Sequence, residues 1–398
     1  MDQTEVVVIG GGPAGLTAAA ALAQAGVDTV IVAGPPAPDG RTTALLASSV
    51  TAFETLGVWA RCEAQAAPLR VMRLVDDTTR LIRAPEVRFD AKEIGLAAFG
   101  YNIENRHLMA ALADHARTLA ALTLIEDEAE AVAPVCDGVT IRLKGGRTLA
   151  ARLAAGADGR RSICRAAAGI ETERASYPQI ALTFNLGHSR PHADTSTEFH
   201  TESGPFTLVP LPGQRSSLVF VVDPAETPGL AALSDDALAA EIERRSHSIL
   251  GTVTPEAARG VFPLAMETAR RFGDRRIALI GEAAHVMPPI GAQGLNLGLR
   301  DAATMAELVV AARRDGGDVG AVAVTDAYDR MRRADVASRA LAVDFLNRSL
   351  LSEFLPLHGA RGFGLHLLER VGPLRRAVMR EGVSPAASQP RLMRGEAL

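Results

Sequence analysis

The pattern of apolar and polar positions is most regular over the first 33 residues. Residues 6–9 form an apolar run without polar alternation, which is typical of a strand buried on both faces of a parallel sheet. Residues 16–25 are rich in Ala and Leu and predict a helix that stops at Gly26. Residues 29–32 predict a second buried strand. The order strand, helix, strand indicates a βαβ unit.

A glycine-rich turn joins the first strand to the helix. It contains the pattern G-x-G-x-x-G at Gly10, Gly12 and Gly15, with Pro13 and Ala14 inside it. The glycines allow a tight turn, close approach of the backbone to a pyrophosphate, and close packing of helix on strand. A plain structural turn is the alternative, but the position between a strand and a helix favours a dinucleotide site at the helix N-terminus.

The second strand lacks the acidic residue that usually binds the ribose hydroxyls of such a ligand. Ala33 ends this strand, and no carboxylate follows before Asp39. Either Asp39 approaches from the loop at 34–40, or the backbone and Arg41 hold the adenosine half. The sequence allows two roles for Arg41. It is either a solvated charge or a guanidinium that binds the pyrophosphate.

Later segments alternate between β-rich and helical patterns. Residues 176–267 differ from the flanking chain by their short β-rich runs, and they predict an antiparallel sheet with one helix at 235–250. Residues 384–398 are expected to be loosely structured. The other predicted elements are strands within 69–83, a helix at 106–119, strands at 122–125, 131–134, 138–143 and 148–154, a strand at 276–280, a helix from Leu295 to Arg314, and helical structure over 329–379.

Two loops carry further candidate binding residues. Asp158 lies in a loop after a strand, where ligands bind at the carboxyl edge of α/β sheets. Gly281 and Glu282 follow the strand at 276–280, and the carboxylate there suits a polyol hydroxyl. The small residues between Pro289 and Gly294 let the backbone approach a flat ring. The helix from Leu295 points its N–H groups and positive dipole end at negative charge on that ring.

Composition narrows the function classes. A formal net charge of −4 gives no reason to expect nucleic acid. Cys62, Cys136 and Cys164 are isolated, which fits a reducing cytoplasm and predicts no metal site. No stretch has the length of a membrane span, and the N-terminus lacks a basic secretory segment. We therefore expect a cytoplasmic protein, either free or peripheral to the inner face of the membrane.

Three motifs, at 10–15, 155–165 and 281–301, resemble in order those of the single-component FAD-dependent aromatic hydroxylases with the p-hydroxybenzoate hydroxylase fold. Within that group the chain is most similar to the ubiquinone-biosynthesis hydroxylases of UbiH/UbiF type. The similarity extends over nearly the whole length and includes the segments 41–45, 105–108, 204–211 and 390–395.

The resemblance implies an α/β (α+β composite) architecture: a Rossmann-like FAD-binding domain, an inserted antiparallel β-sheet substrate domain and a C-terminal helical segment. The predicted divisions are 1–68, 101–175 and 268–328 for the FAD-binding domain, 69–100 and 176–267 for the substrate domain, and 329–398 for the helical region. The implied FAD-binding residues are Gly10, Gly12, Pro13, Ala14, Gly15, Arg41, Asn105, Asp158, Gly281, Glu282, Pro289, Gly294, Leu295 and Asn296. From its residues alone, Asn105 could instead cap the helix at 106–119.

The resemblance also implies the reaction. NADH or NADPH reduces FAD, O2 is activated, and an aromatic ring is hydroxylated, most directly a polyprenyl phenol of ubiquinone biosynthesis. Ala33, Glu282 and Gly291-Ala292 depart from the family pattern. The alternatives are a same-fold monooxygenase acting on a soluble aromatic or an antibiotic, and a catalytically weak structural subunit of a quinone-biosynthesis complex.

The sequence nominates no catalytic base. His200 and His285 are the candidates, but a lone histidine is more often a structural partner. The C-terminal helical region has arginines interleaved with apolar residues, and it either packs on the FAD-binding domain or meets an anionic membrane or a partner assembly. The apolar residues are Leu341, Phe345, Leu350, Phe354, Leu365 and Leu368, and the arginines are Arg339, Arg348, Arg361, Arg370, Arg375, Arg376 and Arg380.

Overall fold

A computed structural model describes residues 2–35, 39–79, 83–256, 259–351, 366, 370–383 and 389–398. Phe354, Arg361, Leu365 and Leu368 of the predicted C-terminal helical region lie outside these residues. No helix of the described chain is both long enough and apolar enough to cross a bilayer. The same residues contain no group of three or more His, Cys, Asp or Glu side chains that could hold a metal ion.

The strands are β1 (Asp2–Ile9), β2 (Thr29–Ala33), β3 (Thr42–Leu46), β4 (Ala66–Pro68), β5 (Val71–Asp76), β6 (Val87–Asp90), β7 (Gly100–Glu104), β8 (Leu122–Glu126), β9 (Ala129–Val135), β10 (Gly138–Leu143), β11 (Thr148–Gly156), β12 (Thr172–His188), β13 (Thr195–Thr201), β14 (Gly204–Leu211), β15 (Arg215–Val222), β16 (Val253–Pro255), β17 (Gly260–Ala269), β18 (Gly273–Asp274), β19 (Ile277–Leu279) and β20 (His285–Val286). The helices are α1 (Pro13–Gln24), α2 (Ala47–Thr55), α3 (Asn105–Ala116), α4 (Ile163–Ala168), α5 (Thr227–Ala231), α6 (Asp235–Arg245), α7 (Gln293–Arg314), α8 (Val322–Leu351) and α9 (Gly372–Val383).

The first sheet carries the N-terminal βαβ unit. Its order is β18-β19-β11-β1-β2-β8, with β10 and β9 attached beside β11. β1 runs parallel to β2 and β11, and residues 6–8 at its centre have no exposed surface. The all-apolar run predicted this burial, because a central parallel strand is covered on both faces. The helix α1 is buried along residues 14–23 and packs against α3 and α7.

The second sheet joins segments that are far apart in sequence. Its order is β20-β17-β12-β15-β14-β13-β5-β6, and β16 pairs with β12. β13 and β5 pair in parallel, which brings residues 71–76 beside residues 195–200. β12 is far longer than the short β-rich runs predicted for this region, because its first half pairs with β17 and its second half with β15. A third, small sheet has the order β3-β7-β4.

One face of the second sheet is closed by α6. Phe199, Phe206 and Phe220 form an aromatic column there, with ring centroids 5.1 to 6.0 Å apart. Leu238 and Ile242 of α6 cover this column. Burial of such side chains contributes on the order of 2 kcal/mol each. Because side chains alternate along a strand, the residues between these aromatic ones lie on the face of the sheet away from α6.

Two predicted element bounds differ from the structure. The helix predicted at 235–250 ends at Arg245, because His247 and Ser248 adopt positive φ angles that an α-helix does not tolerate. The helix predicted from Leu295 begins two residues earlier, at Gln293. Both errors arise from backbone turns that the apolar pattern does not encode.

The expectation of a loosely structured C-terminus is wrong for residues 389–398. A 3₁₀ turn at Arg391–Arg394 packs against α2, and Leu392 and Met393 are almost fully buried. The backbone N–H of Arg391 donates to Glu307 of α7 at 2.9 Å. The terminal segment is therefore part of the first core, since it covers apolar surface that α2 and α7 would otherwise expose.

Candidate functional site

The glycine turn after β1 is too tight for side chains at three positions. A Cβ on Gly11 would lie 2.5 Å from the Ala33 Cβ. A Cβ on Gly10 would lie 2.2 Å from the Ala157 carbonyl oxygen, and Gly10 has a φ of +114°. A Cβ on Gly15 would lie 2.0 Å from the Gly10 oxygen. Gly12, by contrast, has nothing within 4 Å of its Cβ position. The turn thus packs closely on its inner side and is open on its outer side.

The open side of this turn meets the N-terminus of α1. Gly12 is the N-cap residue, and no side chain caps the helix; Pro13 follows at the first helical position. The first-turn N–H groups therefore lack a side-chain acceptor, and the helix dipole adds partial positive charge there. This geometry suits a phosphate.

Asp158 lies beside the same turn. The parallel pairing of Ile9 with Gly156 brings the end of β11 next to the end of β1. Asp158 Oδ2 accepts a hydrogen bond from the Cys164 N–H at 3.1 Å. Its Oδ1 is buried and has no hydrogen-bond partner among the residues that the structure describes. A buried carboxylate oxygen without a donor fits a site that a ligand hydroxyl or amide completes.

Arg41 is not a freely solvated charge. Its guanidinium donates to both oxygens of Asp39 at 2.8 Å and lies 5.4 Å from the centre of the Phe262 ring. Asn105 Nδ2 also donates to Asp39, at 2.8 Å, and Thr43 donates to Asn105 Oδ1 at 2.6 Å. Burial alone would raise the pKa of Asp39, but the hydrogen bonds from Arg41 and Asn105 outweigh it and lower the pKa to about 2.

This arrangement bears on the predicted roles of the Asn105 and Asp39 side chains. Asn105 does not cap α3, because it is the first helical residue and its side chain bonds Asp39 and Thr43. The Asp39 carboxylate is bound by Arg41, and which of the two holds the adenosine half stays a prediction. The segment after β2 thus forms one hydrogen-bonded unit.

The Gly281 loop packs on the first turn of α1. Gly281 has a φ of +62°, and its Cβ position lies 3.5 Å from the Ala14 Cβ. Its N–H donates to Asp301 Oδ2 at 2.9 Å. Glu282 is half exposed and pairs with Arg160 at 3.3 Å. The predicted acidic residue therefore stands at the outer rim of the loop.

Sequence reasoning missed the buried network beneath this loop. Asp301 has no exposed surface and accepts from His285 Nε2 and Arg332 Nε, both at 2.7 Å. Arg332 also pairs with Asp335, at 2.6 Å. Burial alone would raise the pKa of Asp301, but the charges of His285 and Arg332 outweigh it and keep the pKa below its usual range. One signal was in the sequence, since Arg300 and Asp301 are the two adjacent charges within residues 293–306 of this helix.

A second uncapped helix N-terminus lies near the first. Gly291 and Ala292 adopt positive φ angles of 64° and 55°, and Ala292 is the N-cap of α7 without a side-chain cap. The Cβ position of Gly294 is open within 4 Å. The free N–H groups before and at Leu295 thus face open space after the turn that Pro289 begins.

The side chain of Asn296 has a structural role. Its Oδ1 accepts from the Leu46 N–H at 2.9 Å and from Ser49 Oγ at 2.7 Å. Its Nδ2 donates to the carbonyls of Ala44 and Ala292. Asn296 therefore ties β3 and α2 to the start of α7, and only its backbone could serve a ligand.

We infer a cleft between these loops and the face of the second sheet opposite α6. Odd-numbered residues of β12 point away from α6: Tyr177 bonds Asp344 of α8 at 2.7 Å, and Asn185 bonds Glu104 of β7 at 3.2 Å. Between these two contacts, the row formed by Thr183, Val219, Thr207 and Glu198 runs across β12, β15, β14 and β13 and is only half-buried. Phe262 is on the same face and lies 5.4 Å from the Arg41 guanidinium, so this face of the sheet meets the unit formed by Arg41, Asp39 and Asn105.

Comparison with known proteins identifies the family. The family model described as FAD binding domain matches residues 3–343. Ubiquinone hydroxylase UbiL of Rhodospirillum rubrum is 38% identical over 98% of this chain and 92% of its own length. The 3-demethoxyubiquinol 3-hydroxylase of Escherichia coli is 33% identical over 95% of this chain and 98% of its own. The chain belongs to this family of FAD-binding hydroxylases.

Family membership confirms the predicted fold class, the FAD cofactor and the enzyme class, an FAD-dependent monooxygenase. The crystal structure of p-nitrophenol 4-monooxygenase PnpA from Pseudomonas putida superposes with a TM-score of 0.79 at 20% identity, over 98% of this chain and all of that one. That similarity shows the fold. The assignment of individual FAD-binding residues and the domain boundaries stay predictions.

The site residues fit FAD in this structure. Two uncapped helix N-termini, the open positions at Gly12 and Gly294, and the buried free oxygen of Asp158 are what a dinucleotide with a flat ring requires. His285, one of the two candidate bases, is fully buried on Asp301 and is a structural partner. His200 is described below.

Proposed function

We propose that this FAD-dependent monooxygenase hydroxylates the ring of a polyprenyl phenol in ubiquinone biosynthesis. The reaction consumes one O2 and one NAD(P)H with a proton, and it yields the hydroxylated ring, water and NAD(P)⁺. The relatives named above support this substrate class, since both are named for hydroxylation in the ubiquinone series and match this chain over almost all of its length.

The single observation that carries the proposal is the position of the cleft. Arg41 belongs to the unit beside the glycine turn, and its guanidinium lies over Phe262 of the second sheet. A ring held against the half-buried row of that sheet would therefore lie next to the ring-binding end of the cofactor site. Bound FAD supplies the transfer of electrons from NAD(P)H to O2.

The chain's own residues would bind and orient FAD and would exclude water from the cleft. Backbone N–H groups at Ala14 and Gly15 would hold the pyrophosphate, and Asp158 would accept from a ligand hydroxyl. The uncapped start of α7 at Gly294 and Leu295 would stabilise negative charge on the reduced ring. The sheet floor and α8 keep water from the cleft, which protects the hydroxylation from unproductive loss of hydrogen peroxide.

We further propose that the substrate is lipophilic and that the C-terminal helices approach a membrane or a biosynthetic assembly. Leu341 and Phe345 of α8 are 71% and 62% exposed, and Val378 of α9 is 46% exposed. Exposed apolar side chains interleaved with arginines favour an interface with anionic lipid or a partner. Co-sedimentation with anionic vesicles, lost in Leu341→Ser with Phe345→Ser, tests this proposal; recovery of both proteins in the supernatant contradicts it.

The experiment for the main proposal uses purified enzyme with FAD, NAD(P)H and a short-chain prenyl phenol under ¹⁸O2. The expected result is a hydroxylated phenol carrying one ¹⁸O atom. A soluble aromatic without a prenyl chain is the matched control and should react at least tenfold more slowly. Equal rates would favour a soluble substrate. FAD binding without any hydroxylation would favour the structural-subunit alternative. Unimpaired quinone synthesis in a strain that carries Gly12→Asp would support the same alternative.

A further inference from the structure

A titratable pair lies on the cleft face of the second sheet, outside the residues assigned to FAD. His200 Nε2 is 2.8 Å from Glu198 Oε1, and both belong to β13. Their side chains are only 13% and 22% exposed. Glu198 stands in the half-buried row that forms the cleft floor, where Val219 and Thr207 are its neighbours across the sheet.

The orientation of these side chains follows from the sheet. Phe199, between them, points into the core under α6, so Glu198 and His200 must point to the opposite face. That face is the one from which Asn185 and Tyr177 reach β7 and α8. The pair therefore lies on the same face of the sheet as Phe262, which contacts Arg41.

The hydrogen bonds of Glu198 determine which nitrogen of His200 carries the hydrogen and which one can accept. Glu198 Oε2 accepts from Thr207 Oγ1 at 3.3 Å, which leaves Oε1 for the imidazole. Burial alone would raise the pKa of Glu198, but the hydrogen bond and charge of His200 outweigh it, so the pKa lies below its usual range. With an ionised carboxylate at Nε2, that nitrogen carries the hydrogen and Nδ1 is the acceptor. Nδ1 makes no hydrogen bond within the described part of the chain.

Charged groups that approach this face from neighbouring elements are already paired. Asp76 of β5, opposite His200, accepts from Thr78 Oγ1 at 2.7 Å. Asp344 of α8 accepts from Tyr177, and Arg41 is bound to Asp39. An imidazole nitrogen with a free lone pair is a suitable acceptor for the proton of a phenol.

We propose that His200, oriented by Glu198, binds the hydroxyl group of the phenol and accepts its proton. The O–H bond of the phenol breaks, an N–H bond forms at Nδ1, and the electron pair stays on the phenol oxygen. The ring thereby becomes a better nucleophile toward activated oxygen. After the ring carbon gains oxygen and loses its hydrogen as a proton, His200 returns a proton to the product oxygen, so the step needs no further oxidant. This inference rests on the proposed function.

The test compares His200→Gln and Glu198→Gln with Thr195→Ala, which changes the opposite side of the same strand. FAD affinity of each apoprotein is measured first and should equal wild type, since none of these residues holds the cofactor. Hydroxylation of the prenyl phenol is then measured from pH 6 to about 10, where phenols ionise in solution.

At neutral pH, we expect hydroxylation by His200→Gln to be about 10²- to 10⁴-fold slower than by wild type, the usual size of general-base catalysis. The rate should recover toward wild type as the pH approaches about 10, because the phenol then arrives ionised. Glu198→Gln should show a smaller loss of the same form, and Thr195→Ala none.

Several results would overturn the inference. A His200→Gln enzyme as fast as wild type at neutral pH would exclude the base, and an equal loss at every pH would mean a structural role. Loss of FAD affinity in His200→Gln would likewise place the residue in the cofactor site. If wild type itself binds FAD and fails to hydroxylate the phenol, the proposed function fails instead, so the two failures are distinguishable.

Discussion

Asp301 is expected to be the most costly single charge to remove from this protein. Asp301→Asn keeps the shape of the side chain but removes its charge from a site with no exposed surface. Arg332 and His285 lose their charged acceptor, and the Gly281 N–H loses a charge-assisted hydrogen bond. Breaking a buried ion pair by removing one partner costs about 3–5 kcal/mol. Because Asp335 still pairs with Arg332, we expect the lower end of this range, about 3 kcal/mol.

The assay is urea unfolding of the apoprotein, followed by fluorescence and circular dichroism, with Asp114→Asn as the control. Asp114 pairs with Arg117 on the surface, at 63% exposure, so its loss should cost less than about 1 kcal/mol. With a slope of about 3 kcal/mol per molar urea, the Asp301→Asn midpoint should fall by about 1 M.

The stability that Asp301 contributes is expected to depend on pH. The folded pKa of Asp301 is lowered, so its contribution is present above the unfolded pKa of about 3.9 and is lost as the pH falls through the folded pKa. The difference between wild type and Asp301→Asn should therefore be full at pH 7 and shrink below about pH 4. A midpoint within 0.3 M of wild type at pH 7, or a difference independent of pH, would refute the reasoning.

Three further predictions concern the core, the thiols and the cofactor loop. Leu392→Ala should destabilise the protein by about 2–4 kcal/mol in the same unfolding assay, because the side chain is 2% exposed; a change below about 1 kcal/mol would contradict its packing on α2. A thiol reagent should label Cys136 alone in the native protein and all three cysteines after denaturation, because burial raises the pKa of Cys62 to about 11 and that of Cys164 well above its usual value. Rapid native labelling of a second thiol would be inconsistent with this. Glu282→Gln should leave apoprotein stability within about 1 kcal/mol, since its pair with Arg160 is exposed, yet weaken FAD binding measured by flavin fluorescence; unchanged affinity would remove Glu282 from the site.

The FAD cofactor and the glycine turn after β1 were predictable because their signals are local. Gly10, Gly12 and Gly15 lie within six residues, between a strand and a helix, and the turn they form depends mainly on that spacing. The α/β fold class followed from the same kind of pattern. The resemblance then gave the family, because three such local motifs occur in one order.

The cleft and the buried network were not predictable, because they depend on long-range pairing. β13 lies beside β5 only because residues 71–76 and 195–200 meet in the folded sheet. Asp301 and Arg332 are 31 positions apart, and their pairing depends on how α8 packs on α7. His200 was visible as a candidate, yet its neighbour Glu198 and the face of its strand became evident only from the sheet.

The most direct test of the account is an FAD titration of the apoprotein, comparing wild type with Gly12→Asp and Gly229→Asp. Gly12 has open space around its Cβ position, so an aspartate there should leave the fold intact and put a negative charge where the pyrophosphate binds. Gly229, in α5, also has open space around its Cβ position and is the matched control for the same change at an unrelated glycine. The account predicts a bound-flavin absorption spectrum for wild type and the control, and none for a folded Gly12→Asp. Unchanged FAD binding by Gly12→Asp, or no uptake by wild type, would contradict the central claim that these turns hold the flavin cofactor.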